Sequence, residues 1–520
     1  MIDTLAGLAL DSGVDLLKRP ERSVRSRATG PFEGASVAHR MKNWMPSNQG
    51  INSMLFANGD MLRARSRDLA RKNAWAAGAL DSFVANVVGT GIQPEPNHPD
   101  PAMKKLLKEE FLRWTDEADA GGCTDFYGLQ SQACRAVMQD GDVFGRLRYR
   151  RPGDGLRIPL QIQMLESDYC PLTANEPTAT GAIYGGIEVD KLGRRLAYHM
   201  YRAHPGELNY HAGAGETVAI PASEVLHLFM LLRPGQMRGQ PKFTPAIVTL
   251  HEIDQFVDAT VMRQKLSNLL SGYIEGLPAD DPTLEDTAGE SDSPIGEVDK
   301  GDGTADATLE AGEVFRLRPG EKISFSDPPD PGANYVEFVR SMLRGVARAL
   351  GITYEQLTGD LENVNYSSIR AGLFEFRRWC EAFQHQVMVY QMCRPIWAAW
   401  LEAAAMSGII PAARLQAERL LFLDVTWQPP GWAYVNPVDD IESDKALVRS
   451  GFESRPAVIA RRGGSAEQVD QENSEANRRA DELGLKYDSD GRNPDGGKAA
   501  SAPKDQGQAQ PAKPSKLQAV

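Results

Sequence analysis

No stretch of this 520-residue chain approaches the ~20 uninterrupted apolar residues that a membrane helix needs, so a membrane-spanning role is not expected. The N-terminal residues, interrupted by Asp3, Asp11 and Asp15, lack the charge order and apolar core of a signal peptide, and export by a standard signal is not expected. Cysteine is scarce. Cys123, Cys134, Cys170, Cys380 and Cys393 are scattered without a CxxC pair, which points to reduced structural thiols rather than a disulfide framework. Catalytic signatures are missing too. His251-Glu252 starts like a zinc-protease helix, but Gln255 stands where the second histidine is needed. Gly89-Thr90-Gly91 lacks the third glycine of a dinucleotide fingerprint, and no G-x-x-x-x-G-K-S/T loop cradles a nucleotide phosphate. No serine sits in a G-x-S-x-G elbow. No cofactor or resident metal is expected, and His227, inside an apolar run, reads as a hydrogen-bonded core residue.

What is present is concentrated between Asn334 and Trp400. Val339, Met342, Leu343, Val346 and Leu350 recur at three- and four-residue intervals, which predicts a helix over Tyr335 to Leu350 that stops at Gly351. Arg340, Arg344 and Arg348 lie on another face as a basic stripe about 12 Å long. Ile352 to Asn365 reads as a loop, with Gly359-Asp360 and Asn363-Val364-Asn365 as its turn formers. Tyr366-Ser367-Ser368 follows, and either serine suits the cap of a long helix carrying Leu373, Phe376, Cys380, Phe383, Val387, Tyr390, Trp397 and Trp400. Pro395 lies inside that helix and predicts a kink or break near Gln391.

The remaining chain divides by pattern. Residues 1–45 read as a flexible basic arm and 486–520 as a disordered tail. Met61 to Val88 reads as one helix whose Arg63, Arg65, Arg67 and Arg71 suit either solvent or nucleic acid. Met103 to Trp114 and Phe126 to Met138 are amphipathic helices. Val143 to Arg150 and Ile158 to Met164 alternate as a hairpin, Ile183 to Val189 pairs with Leu196 to Tyr201, and Val225 to Phe229 adds a buried run. Thr244-Pro245 opens a helix that keeps its apolar stripe to Gly272. Leu277 to Glu310 is expected to be acidic and in part mobile, ending in a hairpin of Val314 to Leu317 and Ile323 to Phe325 about Pro319-Gly320. Ser465 to Gln468 fits a capping box, and a polar helix runs on to Gly484.

Several separated motifs carry a resemblance. Arg67 to Asn73, Arg233-Pro234-Gly235-Gln236, Arg238-Gly239, Pro319-Gly320-Glu321, Asp327-Pro328, Asn334-Tyr335, Gly351-Ile352, Gly359-Asp360, Asn365 to Ser368 and Arg370-Ala371-Gly372 stand in family order. Over roughly residues 55–485 the chain resembles the lambda-type portal proteins of tailed bacteriophages. Ala311-Gly312 is a departure, since the family more often has Pro-Gly there.

The resemblance implies an α+β portal fold assembled as a ring of twelve copies. Its parts would be an α/β wing (46–243), a first stem helix (244–272), a clip (273–333), a second stem helix (334–350), a tunnel loop (351–368), a long kinked helix reaching the wing and crown junction (369–440), and a helical crown (441–485). The loop would point at double-stranded DNA, touching phosphate or sugar through Asn363, Asn365, Tyr366, Ser367 and Ser368 without a full charge. Arg316, Arg318, Glu321 and Lys322 of the clip would meet the packaging motor and the neck. Implied partners are other copies of the chain, DNA of any sequence, the terminase large subunit, head-completion or neck proteins and the major capsid protein. The implied location is the virion, after assembly in the host cytoplasm. A net charge of −13 suits a conduit, because each strong phosphate contact would have to break for DNA to advance. Two questions stay open at this level. The arginine stripe either faces the channel or pairs across a subunit seam with acids such as Glu252, Asp254 or Asp258. The alternative function is a metal-dependent nucleic-acid-processing enzyme using acidic pairs such as Asp280-Asp281 and Asp439-Asp440.

Overall fold

The structure is a computed structural model that describes residues 43–207, 215–269, 273–275, 322–324, 335–362, 366–434 and 436–485, together with Tyr487, Asp490 and Arg492. Contacts divide the chain into Met1–Ser53 and a body spanning Met54–Val520. Only the body is followed below.

Among the described residues four helices come first: α1 (Ile51–Lys72), α2 (Ala74–Val87), α3 (Pro101–Thr115) and α4 (Phe126–Asp140), with the short strand β1 (Gln93–Pro96) between α2 and α3. The single helix expected over Met61 to Val88 is therefore two. The Asn73 side chain accepts the Ala76 N–H at 2.8 Å and starts α2 afresh, a local bond that outcompetes continuation. Asp100 caps α3 ahead of Pro101, and Asp125 caps α4.

Gly141, at φ 97°, turns the chain from α4 into β2 (Asp142–Tyr149). β2 is the centre of an antiparallel sheet ordered β3-β2-β9, with β3 (Leu160–Glu166) and β9 (Val225–Phe229) at its sides. Between them come β4 (Glu176–Pro177), β5 (Gly181–Tyr184), β6 (Ile187–Asp190), β7 (Arg195–Tyr201) and β8 (Thr217–Pro221), which make a five-stranded antiparallel meander. The expected strand Ile183 to Val189 is two strands, because Gly185 and Gly186 adopt positive φ and reverse the chain. Alternation on β2 serves two cores. Val143 and Leu147 pack with the helices, while Phe144 packs with Ile187, Val189, Tyr198 and Met200 of the meander.

The helix expected to open at Thr244-Pro245 begins instead at α5 (Ile247–Leu269). The Thr244 hydroxyl donates back to Pro241 O at 2.7 Å, so the threonine holds a turn and caps nothing. β10 (Tyr273–Glu275) pairs antiparallel with β11 (Lys322–Ser324). β11 thus meets a strand upstream of the acidic insert; the partner expected for it, Val314 to Leu317, lies outside the described residues. α6 (Tyr335–Leu350) has the bounds predicted, and Gly351 follows at φ 81°. The expected loop after it holds a short helix, α7 (Tyr354–Thr358), set by a capping box: Thr353 Oγ1 accepts Gln356 N–H, and Gln356 Oε1 accepts Thr353 N–H.

From Tyr366 to Met406 the backbone is helical throughout, as α8 (Tyr366–Phe383), a π segment (Gln384–Cys393) and α9 (Arg394–Met406). Of the kink or break expected near Gln391, there is no break; the helix is disturbed there by the π segment. Pro395 has no N–H to give, and the π geometry just before it shifts the ladder, so that Arg394 N–H donates to Val389 O. Gln391 holds the segment in place: its amide accepts the Phe229 N–H at 2.8 Å and donates to Phe229 O at 3.1 Å, completing the open edge of β9. Gln384 donates to Val87 O at 2.8 Å. Trp114, Trp397 and Trp400, in tilted and edge-to-face contact with Phe111 and Phe126, fill the centre of the helical core.

The chain then passes through α10 (Ala412–Ala417), α11 (Arg419–Leu423) and β12 (Val425–Gln428), which pairs antiparallel with β1, and ends in α12 (Pro437–Arg449), α13 (Arg455–Arg461) and α14 (Ala466–Leu483). Ser465 stands at the N-cap of α14 without a side-chain cap bond, and Gln468 donates to Glu472 instead, so the expected capping box is not made. Gly484 closes the helix at φ 65°.

Candidate functional site

Two helices leave the core side by side. Ile247, Leu250 and Ile253 of α5 and Leu343, Val346 and Leu350 of α6 are buried, whereas Val261, Met262, Val336 and Phe338 are exposed. Phe256 of α5 stacks on Tyr335 of α6 at 5.6 Å and tilts against Phe338 at 5.2 Å, fastening the projecting parts to one another.

Within the chain, the arginine stripe of α6 finds partners of its own. Arg340 Nη2 lies 3.1 Å from Asp360 Oδ2 and 3.4 Å from Glu362 Oε2, within the same chain. Arg344 sits over the Tyr354 ring at 5.7 Å, and the Tyr354 hydroxyl donates to the same Asp360 oxygen at 3.2 Å. Arg348 meets Glu375 of α8 at 2.9 Å on an exposed face. Asp254, one of the acids considered as partners, accepts from Asn73 at 2.8 Å. The stripe therefore ties α6 to the segment after it, since α7 folds back along the helix and delivers Asp360. A backbone hydrogen bond from Glu362, then Tyr354 and Arg340, hold the Asp360 carboxyl below its ordinary range. The sequence carries a signal for this fold-back, the Thr353-x-x-Gln356 box followed by Gly359, which reads on reflection as helix start and stop.

Asn363 and Asn365 lie outside the described residues, as do the side chains of Tyr366 and Ser367. Ser368 is exposed. α8 starts at Tyr366, so both serines stand within its first turn, not at its cap. Gly372 brings α8 close to α7: a Cβ there would fall 2.8 Å from Thr353 Cγ2. Of the clip residues, Arg316, Arg318 and Glu321 lie outside the described residues, and Lys322 is placed only as the first residue of β11.

The arginines of α1 divide, with Arg65 and Arg71 exposed and Arg63 and Arg67 turned into the body. Arg63 is buried against Asp60 and Asp168, and Arg67 binds Asp140, Glu166 and Asp168, with Nη2 2.6 Å from Asp168 Oδ2. Burial pushes the Asp168 carboxyl up, but Arg63 and Arg67 outweigh it and leave the group below its ordinary range. Among the described residues, Glu166, Asp168 and His204 bring possible metal-ligand atoms within 4.8 Å of one another. The Arg67 guanidinium already supplies the positive charge there. Asp439 accepts from Asn436, and Asp440 accepts from Arg370 at 3.0 Å, so that acidic pair is engaged; Asp280-Asp281 lies outside the described residues.

A buried ion pair lies where β2 begins. Arg238 Nε donates to Asp142 Oδ2 at 2.6 Å, and His227 Nε2 lies 3.3 Å from the same oxygen. Arg238 also donates to Cys170 O, Gly185 O and Ser167 O, joining the two sheets. Burial pushes the Asp142 carboxyl up, but Arg238 and His227 hold it well below the usual carboxylate range. Burial also drives His227 down to about 4, against the pull of Asp142, so it stays neutral in the core as expected. Cys134, Cys170, Cys380 and Cys393 are buried free thiols pushed upward by burial, and Cys123 is exposed.

Comparison with known proteins places these features. Residues 38–384 match the family described as phage portal protein, lambda family. The chain is 26% identical over 469 residues to the "Probable portal protein" of Halomonas phage phiHAP-1, covering 88% of each chain. It is 20% identical over 486 residues to "Portal protein B" of Escherichia phage lambda, covering 86% of this chain and 89% of that one. Among solved structures, a chain from the neck of an empty GTA particle is similar at 14% identity with a TM-score of 0.43, covering 78% of this chain and 93% of that one.

Proposed function

From the premise that this chain belongs to the lambda family of phage portal proteins, we propose that its copies close into a ring at one vertex of a phage head, through which double-stranded DNA enters and leaves. Twelve copies are proposed, with the ring serving also as the platform for a terminase motor and for neck proteins, and meeting the major capsid protein around its rim. The role is structural: the chain guides DNA and another protein supplies the work of moving it. α5 and α6 are the proposed stem, and Asn363 to Ser368 the proposed point of contact with DNA.

The observation that carries this reading is the Arg340–Asp360–Tyr354 cluster. It fixes the residues just before Asn363 against the stem helix, as a loop that must hold its place beside a moving polymer requires. Asn and Ser side chains at that point offer hydrogen bonds to phosphate without a full charge, which keeps each contact weak and independent of sequence. Removing Asn363 to Asn365 tests the reading. Rings should persist in negative-stain images while DNA packaging or retention falls; loss of the rings would mean that the loop is a contact between subunits.

A further inference from the structure

One strongly charged feature plays no part in the stem. The even-numbered face of β2 begins with the buried Asp142 and Phe144 and emerges as Arg146 and Arg148, and Arg150 continues the alternation one residue past the end of the strand. Alternate strand positions repeat every ~6.6 Å, so the backbone sets the three guanidiniums out at regular intervals. Their holders are neutral. Arg148 Nε donates to Gln163 Oε1 at 2.8 Å, and Arg150 Nε donates to Gln161 Oε1 at 2.8 Å. Gln161 has no freedom to turn over, because its amide N–H2 donates to Glu117 O and Asp119 O, which leaves its oxygen directed at Arg150. Arg146 reaches Glu224 only at 4.0 Å, and its Nε is buried without a hydrogen-bond partner.

Several arginines of the chain are neutralised by acids: Arg67, Arg238, Arg340 and Arg414 each lie within 3.1 Å of a carboxylate oxygen. Here glutamines aim Arg148 and Arg150, and Glu224 comes no nearer to Arg146 than 4.0 Å, in a protein whose net charge is −13. The Asp119 carboxylate close by is spent on the backbone N–H groups of Gly121, Cys123 and Thr124. Arg202 adds a fourth cation in the hollow between this row and the meander, beside Tyr169 and Tyr201. Burial, then the charges of Arg146 and Arg150, depress the pKa of Arg148 against the opposing pull of Glu224, so the crowded cations outweigh the acid within reach. A regular row of guanidinium forks is complementary to a polyanion of regular spacing. A nucleic-acid strand is that polyanion; a patch of acidic side chains is not.

We propose that Arg146, Arg148 and Arg150, the last two aimed by Gln163 and Gln161, bind the phosphate backbone of DNA on the three-stranded sheet, at a site separate from the stem and its loop. The proposal rests on the reading of the chain as a handler of DNA. It adds a place where DNA is held, as against one where it slides.

The test uses the full-length assembled protein and a short DNA duplex of arbitrary sequence, with anisotropy read across a salt series. The wild type should lose affinity as salt rises, and Arg146→Gln/Arg148→Gln/Arg150→Gln should flatten the log–log slope by about 2 to 3, since each released phosphate contact carries ~0.9. Lysine at all three positions should restore most of the slope. Gln161→Glu/Gln163→Glu, which neutralises the row without removing it, should flatten the slope as the glutamine triple does and serves if that triple folds poorly. An unchanged slope in both variants overturns the proposal. So does dissociation of the ring with the duplex slope preserved, which would assign the row to carboxylates of a neighbouring copy. Removing Asn363 to Asn365 separates the two readings: loss of packaging with an intact slope leaves both standing, and intact packaging sinks the loop as a point of DNA contact without touching the row.

Discussion

Arg340 on α6 and Asp360 beyond α7 are held at 3.1 Å, joining two residues that twenty positions of chain separate. The pair turns a helix stripe into a clamp on the segment leading to Asn363. Because Tyr354 donates to the same carboxylate, the clamp has a second jaw.

Arg340→Gln should loosen that segment without disturbing the ring. Amide hydrogen exchange over Gly359 to Glu362 is expected to quicken about two- to five-fold, the effect of losing a solvent-accessible ion pair. Asp360→Asn should match it. Unaltered exchange in both variants would remove the clamp from the account.

Asp142 and Arg238 are each about 1% exposed, so removing one partner strands the other in the core. Asp142→Asn is expected to cost about 3 to 5 kcal/mol in urea denaturation, far more than a surface pair. Asn keeps the shape, which makes charge the variable.

Acidification should weaken the junction of the two sheets in two steps. His227 is neutral when folded down to about 4, whereas in the unfolded chain it takes up a proton near 6.5, so stability present above 6.5 is lost as pH falls from there to about 4. Asp142, held well below its ordinary 3.8, adds a further loss below that value, where the unfolded carboxyl protonates first. Denaturation midpoints measured from pH 7 to pH 4 should decline, and His227→Gln should decline less across the upper window.

Gln391→Leu should leave Phe229 N–H and O without partners at the edge of β9. The expected cost is about 1 to 3 kcal/mol, with faster exchange of the Phe229 amide. Gln391→Glu would keep the acceptor and lose the donor, and should fall between.

Gly141→Ala combines a φ of 97° with a Cβ that would lie 2.6 Å from the backbone carbon of Gln240. Backbone cannot move aside as a side chain can, so a loss of more than 1 kcal/mol is expected from the dihedral and the collision together. Gly155→Ala, at φ 80° with open space around it, isolates the dihedral contribution.

The second projecting helix was legible to the residue, because its apolar stripe and the glycine that ends it are local signals. Whatever depended on distant partners was not. Nothing near Arg63 and Arg67 announces Asp140, Glu166 and Asp168, which arrive only when β2 and β3 have folded against α1. The acids considered for the Arg340 stripe were those of α5, and the fold-back through α7 supplied others. Proline at 395 announced a disturbance, but its form, a π segment in place of a break, was set by the grip of Gln391 on the β9 edge. The regular Arg146, Arg148 and Arg150 alternation was visible as a strand. The glutamines that aim it were not, because their role depends on the register of β3.

The π segment between Gln384 and Cys393 also works as an angular offset. Each residue of an α-helix advances the side-chain direction by about 100°, and wider turns break that count. The half that begins at the loop and the half that carries Trp397 and Trp400 are therefore indexed separately, like two gears on one shaft joined by a slipped tooth. The tryptophan half can stay locked in the core while the bearing of Ser368 and Arg370 is set by how many residues the offset contains.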